Sequence, residues 1–156
     1  MSSMRQFLAS PLGSRVTWGC RIALGLVFAF AALPKLMDPD AFAEAIFNYG
    51  LVSADTASLL ALWLPVLELT VAFSLVTGVA ARGSALLSLG MLCAFSVAIG
   101  QAAIRGIDID CGCFGSQVET KVSVTSLRRN AGLCLLAGIG AAGPPGPLRR
   151  RQSPTP

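Results

Sequence analysis

Long apolar runs separated by short polar connectors dominate the chain. Three of them, at residues 16–36, 57–77 and 84–104, each hold roughly 20 residues, which is enough for a helix to cross a hydrocarbon core of ~30 Å. Lipid offers the backbone no hydrogen-bond partners, so a chain crosses it only as helices or as a closed barrel. Runs of this length favour helices, and the pattern predicts an all-α integral membrane protein.

A fourth run, near the C-terminus, is less regular. Its apolar core, residues 131–142, is too short to cross a membrane by itself. Ser123 is a suitable N-cap, because its hydroxyl can accept a bond from a free backbone N–H of the first turn. We therefore expect a helix over residues 123–142 that includes Arg128 and Arg129 and ends at a segment rich in Gly and Pro.

The connector after the first run contains a helix signal of its own. Residues 38–40, Asp-Pro-Asp, are typical of a turn and an N-cap. Phe42, Ile46 and Tyr49 then recur at helical spacing, which indicates a short amphipathic helix at the membrane surface. The predicted architecture is a four-helix antiparallel bundle with this interfacial helix between helices one and two.

Composition supports a lipid environment. The chain is 54% hydrophobic and only 13% charged, whereas a soluble domain carries about 25% charged residues. The net charge of +4 is not accompanied by a basic stripe interleaved with aromatic residues, which argues against nucleic acid as a partner.

The distribution of Lys and Arg predicts the orientation, because cytoplasmic loops carry the excess. One side of the predicted bundle carries Arg5, Arg15, Arg21, Arg82, Arg149, Arg150 and Arg151, and the other carries Lys35, Arg105, Lys121, Arg128 and Arg129 mixed with acidic residues. We expect a multi-pass protein of the cell inner membrane with both termini cytoplasmic. In this prediction residues 1–15 are a cytoplasmic segment, 16–143 the transmembrane domain and 144–156 a disordered basic tail, and Arg21 snorkels to the interface.

Two of the five cysteines stand apart from the others. Cys20, Cys93 and Cys134 lie in apolar runs, where a cysteine is usually a small hydrophobic residue. Cys111 and Cys113 lie in the polar loop 105–120, with one glycine between them. A disulfide closed over so short a spacing is strained and easily reduced, which predicts a redox-active pair on the outer side of the membrane.

Two alternatives to redox chemistry remain for this pair. The cysteines can be structural thiols, or they can form half of a metal or metalloid site. Zinc needs about four ligands, and the chain has no histidine. Asp108 and Asp110 would have to complete the set, so we predict no metal site.

Glu68 is the second candidate for function, because a carboxylate in the middle of a span is costly and is usually functional or paired. It can relay protons or serve a cofactor, or it can simply pair with Lys35, with Arg128 or with a serine. Pro34 is expected to end the first helix near the outer face, which would place Lys35 on the side of the cysteine loop.

The chain resembles the MauE branch of the DoxX-like membrane proteins over residues 15–142. The residues that carry the resemblance are 31–36 with Asp38-Pro39, the helix 42–49, Leu64-Pro65 followed by Glu68-Leu69, the segment 110–115 (Asp-Cys-Gly-Cys-Phe-Gly), and Arg129-Asn130. The resemblance implies a four-helix membrane bundle linked to maturation of the methylamine dehydrogenase small subunit, a disulfide-rich periplasmic protein. It also implies thiol-disulfide exchange as the chemistry.

The leading hypothesis is an integral membrane thiol-disulfide redox protein in which Cys111 and Cys113 exchange with a periplasmic client or thioredoxin-like partner. Glu68, Lys35, Arg129 and Asp110 would tune the pair or relay protons. A quinone is a candidate electron acceptor by analogy with other membrane disulfide oxidases, although no quinone motif is visible. The alternatives are a non-enzymatic assembly factor and a transporter of small solutes or metal ions that uses the cysteines and Glu68.

Overall fold

A computed structural model describes residues 10–105 and 124–143, and within these ranges the only regular structure is helical. Five helices follow one another in the order α1 (Pro11–Met37), α2 (Pro39–Asn48), α3 (Ala54–Thr77), α4 (Ala81–Ile104) and α5 (Val124–Ala142). The predicted all-α class is confirmed. The cysteine loop with Asp108, Asp110, Cys111 and Cys113 lies outside the described residues, as do the predicted basic tail and residues 1–9.

Three of the helices are long and apolar enough to cross a membrane: α1 over Leu12–Met37, α3 and α4. At most 33% of each span is buried inside the protein, and large apolar side chains such as Phe30, Trp63 and Phe73 point outward. An apolar surface of this extent, on helices long enough to cross a bilayer, indicates a lipid environment. The prediction of a membrane protein is therefore confirmed, while α5, which carries Arg128 and Arg129 near its start, is not among these three helices.

Side-chain caps and glycine set the helix boundaries. Ser10 and Asp38 accept hydrogen bonds from the backbone N–H groups of Gly13 and Ala41, at 3.1 and 3.0 Å, and so begin α1 and α2. Gly78 ends α3 with a φ of 81°, in the left-handed region that glycine adopts without a steric penalty. The local sequence thus explains where these helices start and stop.

Pro34 does not end α1, so this prediction was wrong. The helix continues through the proline to Met37, and the N–H of Asp38 still bonds to the Pro34 carbonyl at 3.2 Å. Proline removes only its own N–H and crowds the preceding turn. Since its carbonyl remains available, one further turn forms, and that turn carries Lys35.

All four long helices contribute to one apolar core. α1 packs on α3 and α5, α4 packs on the same two helices, and α2 lies against α3. The buried cluster comprises Leu24, Phe28, Val71, Ala72, Leu75, Ala85, Met91, Leu92 and Ala137. Gly25 permits the close approach of α1 and α3, because a Cβ there would lie 2.9 Å from a methyl group of Val76 and 3.1 Å from the Ala72 carbonyl oxygen.

Arg21 does not snorkel to the interface, contrary to the prediction. It is only 2% exposed, and its Nε and Nη2 atoms donate to the Gly140 carbonyl at 3.0 and 2.7 Å. Arg82 donates to the Gly143 carbonyl at 2.9 Å. The last carbonyls of a helix have no partner within it and carry its negative dipole end. Two arginines from neighbouring helices therefore cap the C-terminal end of α5. The sequence did not indicate that backbone carbonyls of α5 would be the partners of these arginines.

Candidate functional site

A buried ion pair joins α1 to the middle of α3. Lys35 Nζ donates to Glu68 Oε1 at 2.5 Å, and the two residues are 2% and 1% exposed. Removing two charges from water costs several kcal/mol per ion, and only close pairing with further polar partners offsets that cost. Lys35 is one of the three partners that the sequence offered for Glu68.

Aromatic rings from two more helices close around the ammonium group. Lys35 Nζ lies 5.0 Å from the ring centre of Phe42 on α2 and 5.4 Å from that of Phe95 on α4. Both distances allow cation–π attraction, which is worth ~0.5–2 kcal/mol and is strongest where water is excluded. Lys35 thus holds α1, α2, α3 and α4 together at one point.

Polar side chains of α5 complete this cluster. Glu68, Lys35, Arg129 and Asn130, together with six apolar side chains, line a cavity of about 30 Å³, called here the polar cavity. Asn130 Nδ2 donates to the hydroxyl of Ser96 at 3.3 Å. A volume of this size admits a water molecule, which needs roughly 10–15 Å³ and two or more polar partners.

One oxygen of Glu68 has no protein partner in the described parts of the chain. Oε1 is held by Lys35, whereas the buried Oε2 accepts no hydrogen bond from any described group. A buried carboxylate oxygen without a donor is costly and is normally satisfied by water, by an ion or by a proton. Because Glu68 also lines the polar cavity, it is suited to accept a proton there.

A second cavity, of about 170 Å³, adjoins the first at Lys35 and Phe95 and is called here the apolar cavity. Its walls come from α1, from α2 and the connector after it, from α3 and from α4. Among its lining residues are Phe42, Ala45, Tyr49, Leu51, Leu60, Leu64, Ala98 and Ile99. Lys35 is the charged residue among those that line it. The apolar cavity is therefore hydrophobic, with one ammonium group at its buried end.

The structure brings together three of the six residues predicted for the site. Glu68, Lys35 and Arg129 line the polar cavity, whereas Asp110, Cys111 and Cys113 lie outside the described residues. Sequence reasoning missed Phe95 as a neighbour of Lys35, because nothing in an uncharged apolar run marks which ring will meet a cation.

A further pair of cysteines was also missed. The side chains of Cys93 on α4 and Cys134 on α5 lie within hydrogen-bonding reach of each other, and both are free thiols. The sequence predicted them as separate small hydrophobic residues, since their contact depends on the packing of two helices. Among the described residues, no group of three or more Cys, Asp or Glu side chains is placed to hold a metal ion.

Comparison with known proteins places the chain in a family. The model of the family described as methylamine utilisation protein MauE matches residues 13–143. A methylamine utilization protein MauE from Paracoccus denitrificans is 36% identical over 143 residues, which cover 91% of this chain and 75% of that protein. The protein of the same name from Methylorubrum extorquens is 40% identical over 131 residues, covering 83% and 69% of the two chains.

A third relative of that name, from Paracoccus versutus, is 36% identical over 140 residues, or 89% of this chain and 73% of its own. No solved structure gives a significant match. The residues matched by the family model include the helices that form both cavities. The chain therefore belongs to the MauE family.

Proposed function

We propose that this protein is an integral membrane thiol-disulfide redox protein of methylamine utilisation, whose Cys111–Cys113 pair exchanges with a periplasmic protein. The observation that carries the proposal is the Cys-Gly-Cys sequence in the polar connector between α4 and α5. The relatives are named methylamine utilization proteins, which supports methylamine utilisation as the process. A client such as the methylamine dehydrogenase small subunit fits the chemistry, because a disulfide-rich protein needs partners that form or rearrange its bridges.

The helices on either side of the cysteine connector support this proposal by their position. Arg105, at the end of α4, lies beside the connector after α2, with one guanidinium nitrogen 3.6 Å from where a Cβ of Gly50 would be. On the other side, Arg129 lies five residues into α5, a rise of ~7.5 Å, and lines the polar cavity. Arg105 and Arg129, which flank the cysteine segment in the sequence, therefore lie on the side of the protein that holds Lys35.

The proposed chemistry is two successive exchanges. The thiolate of one cysteine attacks a disulfide of the partner, which forms a mixed disulfide and releases one partner thiolate. The second cysteine then attacks the mixed disulfide, so that Cys111 and Cys113 become joined and the partner leaves with two thiols. In the opposite direction the same steps transfer the disulfide from this protein to the partner.

Glu68 and Lys35 have a role in this scheme because each thiol must lose a proton before it reacts. Glu68 has an oxygen that accepts no hydrogen bond from the described residues and can take up a proton, in a cavity with room for water. Lys35 donates a hydrogen bond to the other oxygen and so holds the carboxyl group of Glu68 in place beside the polar cavity. Asp110 and Arg129 would adjust the thiolate populations of the pair through their charges.

The membrane arrangement that goes with this function has four spans. α5 packs against α1 and α4, so we infer that it crosses the inner membrane with them and completes an antiparallel bundle. α2 then lies at the outer surface, beside the connectors, and both termini face the cytoplasm, as the excess of Lys and Arg on that side favours.

Trapping of the mixed disulfide tests the proposal. Cys113→Ala removes the resolving thiol, so Cys111 should accumulate as a covalent adduct with a periplasmic protein, visible on a non-reducing gel and lost on reduction. If the order of attack is reversed, Cys111→Ala traps through Cys113. Cys20→Ala is the matched control and should trap nothing. If neither single variant traps a partner and the double variant still supports methylamine-dependent growth, the redox proposal is wrong.

A further inference from the structure

The apolar cavity has the dimensions of a small ring. Its volume is about 170 Å³, and an apolar cavity of roughly 150 Å³ is known to bind benzene. Phe42, Tyr49 and Phe95 contribute aromatic surface to its walls, which favours a flat ring through stacked or edge-to-face contacts. One six-membered ring with small substituents fills such a space.

Lys35 gives the cavity one polar feature at its buried end. An ammonium group has three N–H donors, and Glu68 Oε1 takes one of them. A neutral ligand with an acceptor oxygen can take another donor without breaking the ion pair. An anionic ligand would compete with Glu68 for the same charge and would lose its hydration among apolar walls, which is costly.

The other end of the cavity leads to the outside of the protein. Leu51 and Leu60 line it and are 44% and 38% exposed, whereas Lys35 is 2% exposed. Leu60 belongs to α3, one of the helices long and apolar enough to span a membrane. A ligand can therefore arrive from the lipid and leave an apolar tail in it.

We propose that the apolar cavity binds the head group of a membrane-soluble molecule with a neutral six-membered ring and a carbonyl oxygen, which is the chemistry of the quinones. The carbonyl accepts a hydrogen bond from Lys35, the ring lies among Phe42, Phe95 and Tyr49, and the tail passes Leu51 and Leu60. This binding site goes beyond the exchange reaction proposed above and does not require Cys111 or Cys113.

Direct binding to the full-length protein in phosphatidylcholine nanodiscs tests the site, with empty nanodiscs to subtract partitioning. Three probes have alkyl tails of nine or ten carbons: a decyl-substituted 1,4-benzoquinone, decylbenzene and decanoic acid. Ala45 lines the cavity, so Ala45→Leu should fill it, whereas Ala43, half-buried on the same helix and not part of the lining, provides the control variant Ala43→Leu.

The benzoquinone should bind the wild type and Ala43→Leu alike and at least tenfold more weakly to Ala45→Leu. Decylbenzene should bind about tenfold more weakly than the benzoquinone, because it lacks the bond to a charged donor. Decanoic acid should bind more weakly still. A variant with Cys111 and Cys113 both changed to Ser should bind the benzoquinone like the wild type, so that failure of the exchange reaction leaves this result standing.

Three results would overturn the inference. Equal binding to Ala45→Leu and Ala43→Leu would show that the ligand lies elsewhere. Equal binding of decylbenzene and the benzoquinone would show that no carbonyl is recognised. Tighter binding of decanoic acid, lost in Ala45→Leu, would make this a site for anionic lipids. If Ala45→Leu does not fold, Ala98→Leu, which fills the cavity from α4, decides between the same outcomes.

Discussion

Substitutions of Lys35 and Glu68 should affect the free energy of unfolding in a strongly non-additive way, because the two residues form a buried pair. Lys35→Met leaves the Glu68 carboxylate buried at 1% exposure without its only described hydrogen-bond donor. Removing one partner of a buried ion pair typically costs 3–5 kcal/mol, whereas replacing both by apolar residues of similar volume is about neutral or stabilising. We therefore expect Lys35→Met to lower the free energy of unfolding by about 3–5 kcal/mol. The double variant Lys35→Met/Glu68→Leu should lower it by less than about 1 kcal/mol.

The assay is reversible unfolding in mixed micelles, followed by circular dichroism, of the wild type, the two single variants and the double variant. Glu44→Gln, an exposed carboxylate on α2, serves as the control and should change the free energy of unfolding by no more than about 0.5 kcal/mol. If the double variant loses the sum of the two single losses, the residues do not act as a pair, and the account of the site fails.

The double variant also separates stability from function. It should fold like the wild type and yet accumulate less mixed disulfide when combined with the trapping substitution, because the proton acceptor of the polar cavity is gone. If trapping proceeds at the wild-type rate in a folded double variant, the ion pair serves the fold alone.

Three further predictions follow from the packing. Gly25→Ala should destabilise the protein by about 1–3 kcal/mol through overpacking of α1 against α3, whereas Gly19→Ala, where a Cβ meets nothing within 4 Å, should be neutral or stabilising in the same unfolding assay. Arg21→Met should cost about 1–3 kcal/mol, because the α5 carbonyl that it caps loses a charged donor. Mild oxidation should cross-link Cys93 to Cys134, shown by a disulfide-linked peptide in mass spectrometry, and absence of that peptide would contradict the placement of these two side chains against each other.

The positions of most helices could be predicted from local sequence features, namely the length of apolar runs, residue spacing and N-cap residues. Length and apolarity predicted the three long helices, and each begins a few residues before the predicted apolar run because caps and a first turn precede it. The short helix α2 was visible from the spacing of Phe42 and Ile46 and from an aspartate cap. These features depend on neighbours within one or two turns, which is why the sequence carries them.

The site depends on contacts that cross between helices, and there the sequence was a weaker guide. Glu68 stood out because a carboxylate in an apolar run is expensive, and Lys35 was one of a few cations able to reach it. Arg21 looked equally isolated, yet its partner is a backbone carbonyl of α5, which no sequence pattern distinguishes. Phe95 lies in an apolar run, and no neighbouring residue in the sequence indicates that its ring contacts the Lys35 ammonium group.

The most direct test of the central claim is the redox titration of Cys111 and Cys113 in the purified protein. The protein is equilibrated in glutathione buffers, the free thiols are alkylated, and the modified peptides are counted by mass spectrometry. A redox-active pair should gain and lose both alkyl groups together, with a two-electron midpoint between about −270 and −120 mV, the span of exchange-active proteins. Cysteines that remain reduced across that whole range, or that oxidise one at a time, would contradict the account.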